Sequence, residues 1–216
     1  MSYRILVAVW ALLCLPLTAT GDDSAPGDNT PPPVLEGRDL VQALRDGGYV
    51  LYFRHGITDH QRNDVDRVDL SNCATQRPLS AEGRQQMREV GRAIKALGIH
   101  VSTVLSSPYC RCVDTAELAF GPAKVSDLLK HTVVADEQTV KLRAGALREM
   151  LGTVPPVPGT NTVIAGHTAN LQDATGIWPK PEGVAIVFQP DGNGDFTFVA
   201  RVPSGDWSRL ALDYGP

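Results

Sequence analysis

Two unbroken apolar runs, Tyr49-Val-Leu-Tyr-Phe53 and Thr162-Val-Ile-Ala165, constrain this chain more than any other feature. A strand whose side chains are apolar on both sides must be covered on both faces, and such strands belong to parallel sheets sandwiched between helices. The intervening sequence supplies those helices. Ser80 to Leu97 places Met87, Val90, Ile94 and Leu97 at helical spacing, with Ser80 as the cap and Gly98 as the stop. Shorter helices are expected over Arg38–Arg45, Arg111–Phe120 and Leu142–Leu151. Further strands are expected over Ser102–Ser106 and Thr132–Ala135. Val184–Gln189 and Phe196–Val202, joined by Asp191-Gly-Asn-Gly194, read as a β-hairpin. The alternation predicts an α/β fold, a three-layer α/β/α sandwich with a largely parallel sheet.

In such a sheet, ligands bind beyond the carboxyl ends of the strands. Those ends carry Arg54-His55-Gly56, Ser107-Pro-Tyr-Cys-Arg111 and Gly166-His167-Thr168. Two guanidinium forks suit phosphate oxygens, and two imidazoles can act as nucleophile, base or hydrogen-bond donor near neutral pH. Arg111, in the first turn of its helix behind Ser-Pro, is placed for phosphate binding. There is no Walker loop, no His-Glu-x-x-His and no acidic pair spaced for magnesium. Asp191–Asp195 begins like a calcium loop, but Phe196 stands where glycine is needed. Cys110-x-Cys112 lacks a second ligand pair for zinc. No cofactor and no metal are therefore expected. His60, His100 and His131 fit no motif and read as surface or structural residues.

Taken together, Leu51-Tyr-Phe-Arg54-His55-Gly56, then Ser106-Ser107-Pro108-Tyr-Cys-Arg111-Cys-Val-Asp-Thr115-Ala116, then Val163-Ile-Ala-Gly166-His167 resemble the histidine phosphatase superfamily, with its phosphoglycerate mutase-like fold. The resemblance spans roughly residues 45–205. It implies a phosphoric monoester hydrolase of the histidine acid phosphatase type. His55 would be the nucleophile that carries the phosphoryl group. Arg54 and Arg111 would hold the equatorial oxygens, and His167 would donate a hydrogen bond to the same group. Thr58 is a candidate hydroxyl contact by proximity. The family's general acid has no clear match. Glu137 is the first choice, on the segment after the second-arginine helix, with Asp136 or Glu182 as alternatives. Without a well-placed acid, only good leaving groups, such as those of phosphohistidine or phosphoramidates, would depart quickly. A phosphate-binding relative with weak turnover and a phosphomutase are the competing readings.

The chain starts Met1-Ser-Tyr-Arg4, continues with the apolar run Ile5–Leu17, too short for a stable bilayer span, and then reaches the small residues of Thr18–Gly21. This is the pattern of a secretory signal peptide over 1–21. Residues 22–37, with Pro31-Pro32-Pro33, read as a flexible tether, and 38–216 as the phosphatase domain. The expected product is exported, periplasmic or secreted, with no stable membrane anchor after cleavage. Its partner would be a small phosphorylated substrate or a phosphorylated cell-envelope sugar. A formal net charge of −4 argues against a nucleic-acid surface. In an oxidising compartment, Cys73 is expected to pair with Cys110 or Cys112, bracing the loop beside Arg111.

Overall fold

The computed structural model describes residues 34–215; the proposed signal peptide and most of the tether lie outside them. Six strands form one sheet: β1 (Val50–Arg54), β2 (Val101–Ser106), β3 (Lys124–Val125), β4 (Asn161–Gly166), β5 (Ala185–Pro190) and β6 (Phe196–Val202). Six α-helices accompany it: α1 (Gly37–Asp46), α2 (Ala81–Ala96), α3 (Cys110–Phe120), α4 (Glu137–Gly152), α5 (Thr168–Thr175) and α6 (Ser204–Tyr214). The strand order is β3-β2-β4-β1-β5-β6. The first four strands in that order are parallel to one another, and β5 and β6 add the expected antiparallel hairpin.

The period of two along β1 divides its apolar run between two cores. Leu51 and Phe53 pack with α1, α2 and α6, whereas Val50 and Tyr52 pack with Leu147 and Leu151 of α4 and Leu171 of α5. The three layers follow from this division. Ser80 caps α2 as the sequence predicts, its hydroxyl accepting the Gly83 N–H at 3.0 Å.

Four local expectations need correction. Thr132–Ala135 is not a strand. Thr132 Oγ1 donates to Asp173 of α5 at 2.6 Å, and the Ala135 N–H turns back to the Thr132 carbonyl at 2.9 Å. The edge strand is instead the two-residue β3. Helix α5 has little apolar patterning to announce it, and α6 lies beyond the last predicted element. The tether ends earlier than residue 37: the Leu35 N–H bonds the Val199 carbonyl at 3.0 Å, and its side chain packs on the first core.

Helix α6 is anchored by Trp207, fully buried and stacked on Phe53 with ring centroids 6.3 Å apart. Trp207→Ala should lower unfolding free energy by about 3–5 kcal/mol, because the cavity cannot close around so large a loss. Urea denaturation followed by circular dichroism checks this.

Candidate active site

Strand register assembles the site. Arg54 pairs with Gly166 across β1 and β4, and Ser106 pairs with Ala165 across β2 and β4. The three carboxyl ends therefore lie side by side, and the residues that follow, His55, Ser107 and His167, enter one space. The two histidine rings have centroids 5.7 Å apart. The His55 N–H bonds the Gly166 carbonyl at 3.0 Å, so the two motifs are also joined through the backbone.

His55 is buried, with Nδ1 3.0 Å from the Gly56 carbonyl. A carbonyl only accepts, so Nδ1 carries the proton, and in the neutral ring Nε2 holds the lone pair. Burial, reinforced by the charge of Arg111 and then of Arg54 and Arg77, pushes the His55 pKa well below the ordinary histidine value, against the opposing pull of the Gly56 bond. The ring is thus a neutral base facing cations. The Gly56 N–H donates to Thr115 Oγ1 at 2.9 Å, and that hydroxyl donates to the Arg111 carbonyl at 2.7 Å. This short relay ties the histidine loop to α3.

Arg111 is buried, with its guanidinium 4.4 Å from the centroid of the Tyr109 ring and Nη1 bonded to Asp64 at 2.8 Å. Burial raises the Asp64 pKa, but the Arg77 N–H bond and the Arg111 charge outweigh it and hold the group below its ordinary value. Asp64 is therefore an ionised clamp. Its loop is fastened to α3 by the Cys73–Cys110 disulfide. Beside it, buried Gln76 accepts the Cys110 N–H at 2.9 Å and donates to the Leu70 carbonyl at 2.9 Å. Of the two pairings left open by the sequence, Cys110 is the partner. Cys112 stays a free thiol, pushed up to about 12 by burial, with its sulfur 3.5 Å from His167 Nε2.

His167 is fully buried, with Nε2 2.8 Å from Ser107 Oγ. Burial, followed by His131, Arg111, His55 and Arg77, holds its pKa well below the ordinary value. Its carbonyl accepts the Tyr52 hydroxyl at 2.8 Å. That hydroxyl occupies the position where a side chain at Gly166 would begin, so glycine is required there by contact rather than by backbone angle.

The carboxylate in the cluster is Glu182, not Glu137. Glu182 accepts the Thr58 N–H at 3.2 Å and the Thr58 hydroxyl at 3.0 Å. It also pairs with Arg54 at 3.3 Å and His60 Nε2 at 3.2 Å, and lies 3.9 Å from His55 Nδ1. Thr58 thus serves Glu182, and its hydroxyl does not stand free. Glu137 is 82% exposed and paired with Lys141 one turn along its helix at 2.6 Å. Asp136 caps the same helix, accepting the Thr139 N–H at 2.9 Å. Both serve the start of α4.

Sequence reasoning missed His131 and Arg77. The His131 ring lies 4.6 Å from the His167 ring, centroid to centroid, nearly perpendicular to it. Burial, then Arg111, lowers its pKa to about 4. His60 likewise joins the site through Glu182, leaving His100 as the one non-motif histidine with no part in the cluster among the described bonds. No group of three or more His, Cys, Asp or Glu able to hold a metal occurs among the described residues.

Residues 50–132 match the histidine phosphatase superfamily (branch 1). The protein histidine phosphatase SixA, solved with tungstate, shares 19% identity over 73% of this chain and 98% of its own, with a TM-score of 0.51. A candidate alpha-ribazole-5'-P phosphatase from Escherichia coli shares 14% identity over 73% of this chain and 97% of its own, with a TM-score of 0.52. An uncharacterized protein of Picosynechococcus sp. is 28% identical over 142 residues, covering 66% of this chain and 74% of its own.

Two predictions follow from this environment. Three histidines with lowered pKa values remain neutral in the folded state while their unfolded counterparts take up protons. Stability should therefore fall as pH drops from about 6.5 towards about 4. Urea midpoints measured in phosphate-free buffer near pH 7 and near pH 5 should show the loss. Replacing Cys73 and Cys110 together by serine opens a loop with a sequence separation of 37. That should cost about 2–4 kcal/mol of stability, read by denaturant titration.

Proposed function

We propose that the chain is a member of the histidine phosphatase superfamily, whose branch 1 matches residues 50–132, and that it is an exported phosphatase working through a phosphohistidine on His55. One observation carries the reading: a buried neutral histidine, its Nδ1 occupied by a carbonyl, lies among Arg54, Arg111 and His167 at three adjacent strand ends. In the proposed reaction, the His55 Nε2 lone pair attacks phosphorus in line, the bond to the leaving group breaks, and Arg54 and Arg111 balance the charge on the equatorial oxygens. Water then attacks phosphorus, the P–N bond breaks, and orthophosphate leaves with His55 restored.

The carboxylates bear on the substrate class. Glu182 accepts from four donor groups and lies at the Nδ1 edge of His55, so its role is to steady the positive charge that the ring gains on attack. Asp64 is held ionised by Arg111 and Arg77. Asp64 is committed to Arg111, and Glu182 serves only as an acceptor in its described bonds, so neither is placed to hand a proton to a leaving group. This favours substrates whose leaving groups depart without strong acid assistance, namely aryl phosphates and phosphoramidates such as phosphohistidine. Export is supported by the amino-terminal leader pattern and by the Cys73–Cys110 bridge, a cross-link suited to an oxidising compartment. Phosphorylated cell-envelope components would then be within reach.

His55→Ala should lower kcat for phenyl phosphate by about 10³-fold or more while leaving the circular dichroism spectrum unchanged. The wild-type protein should accumulate an acid-labile, alkali-stable phosphoenzyme in a rapid quench. Undiminished turnover by the variant would rule the reading out. Wild-type phosphate binding without turnover would favour a binding role instead.

A further inference from the structure

Beyond Arg111 the site opens into a cavity of about 190 Å³ that no step of the proposed reaction uses. Its charged lining comprises Arg67, Arg77 and Arg111, with Asp64 as the sole carboxylate, and His131 forms a further wall. The charges do not balance. Asp64 is committed to Arg111 and to the Arg77 backbone N–H. The guanidinium groups of Arg67 and Arg77 make no hydrogen bond or ion pair with any other described residue, and Nε of Arg77 is buried without a partner. For half-buried Arg77 the lack of a counter-anion is costly, and the cost is recovered only when an anion arrives, whereas Arg67 stands exposed at the rim. Arg77 is also near enough to the cluster that its charge depresses the pKa values of His55, His131 and His167. The cavity is therefore electrostatically continuous with the phosphoryl cradle, which it meets at Arg111, yet Asp64, Arg67, Arg77 and His131 all lie outside the three strand-end motifs.

We propose that this cavity is a second anion subsite, in which Arg67 and Arg77 receive a carboxylate or phosphoryl group carried by the same substrate whose reacting phosphoryl group sits at His55. The inference rests on the phosphatase reading and narrows it: the preferred substrate bears two anionic groups within a few bonds of each other. Neutral His131 fits the same role. The Val133 N–H donates to His131 Nδ1 at 3.2 Å, so in the uncharged ring Nε2 carries the proton and can give one hydrogen bond at the boundary between the two anions without adding a fixed charge.

The test compares three inhibitors of phenyl phosphate hydrolysis: orthophosphate with one anionic centre, phosphonoacetate whose second centre is a carboxylate, and methylenediphosphonate whose second centre is a phosphonate. At least one of the two-centre compounds should inhibit the wild-type protein about tenfold or more better than orthophosphate, and the better of the two identifies the second group. Arg67→Ala and Arg77→Gln should each reduce that advantage to about threefold or less. Arg92→Ala, which removes an exposed charge on α2, should leave it intact and so controls for net charge. No advantage in the wild-type protein, or an advantage that survives both substitutions, overturns the subsite. The outcomes stay separable from the parent reading: hydrolysis that persists in His55→Ala removes the phosphatase mechanism. Hydrolysis that depends on His55 but shows no two-centre preference removes only the subsite.

Discussion

The register of three parallel strands is the constraint on which the site depends. Because Arg54 lies opposite Gly166 and Ser106 opposite Ala165, the chain leaves β1, β2 and β4 at one level, and His55, Ser107 and His167 have no alternative to meeting. A slip of one residue would turn each of these side chains to the other face of the sheet. The shapes of the side chains oppose that slip, since Phe53 fills one core and Tyr52 the other, and neither could take the other's place without repacking. Packing thus sets catalytic geometry directly, with no need for flexible loops to find it.

Around that geometry the charges are arranged asymmetrically. The imidazoles of His55 and His167 are buried and neutral, the guanidiniums are numerous, and the carboxylates act as acceptors that position rather than as acids. Asp64 holds Arg111 and Glu182 holds Arg54. The cradle consequently has excess positive charge that only a substrate can balance. This is a pre-organised arrangement, in which little rearrangement is needed when a phosphoryl group enters.

Much of this was legible in the sequence because it is written in local pattern. The apolar runs identified β1 and β4, the amphipathic spacing and Ser80 identified α2, and strand-end position marked Arg54, His55, Arg111 and His167. What escaped was determined at a distance. Thr132–Ala135 has strand-like composition, but its polar groups bond to α5 and to its own turn. Glu137 had the chain position of a general acid, yet a helix start beside Asp136 directs it to solvent. His131 and Arg77 join the site only because their segments are folded over it, by Asn170 and Arg143 bonding the backbone of residues 130 and 131 and by Asp64 bonding that of Arg77. None of those contacts leaves a periodic trace along the chain.

The meeting of Tyr52 with residue 166 reaches further than its single hydrogen bond. The phenol ring belongs to the hydrocarbon layer beneath α4 and α5, while its oxygen supports the peptide group of His167 in a space left by a missing methyl. The two positions form one unit shared between core and catalysis, and their coupling runs in one direction. The phenol oxygen could be removed alone for the loss of one hydrogen bond, whereas a methyl at residue 166 could enter only after that oxygen had gone.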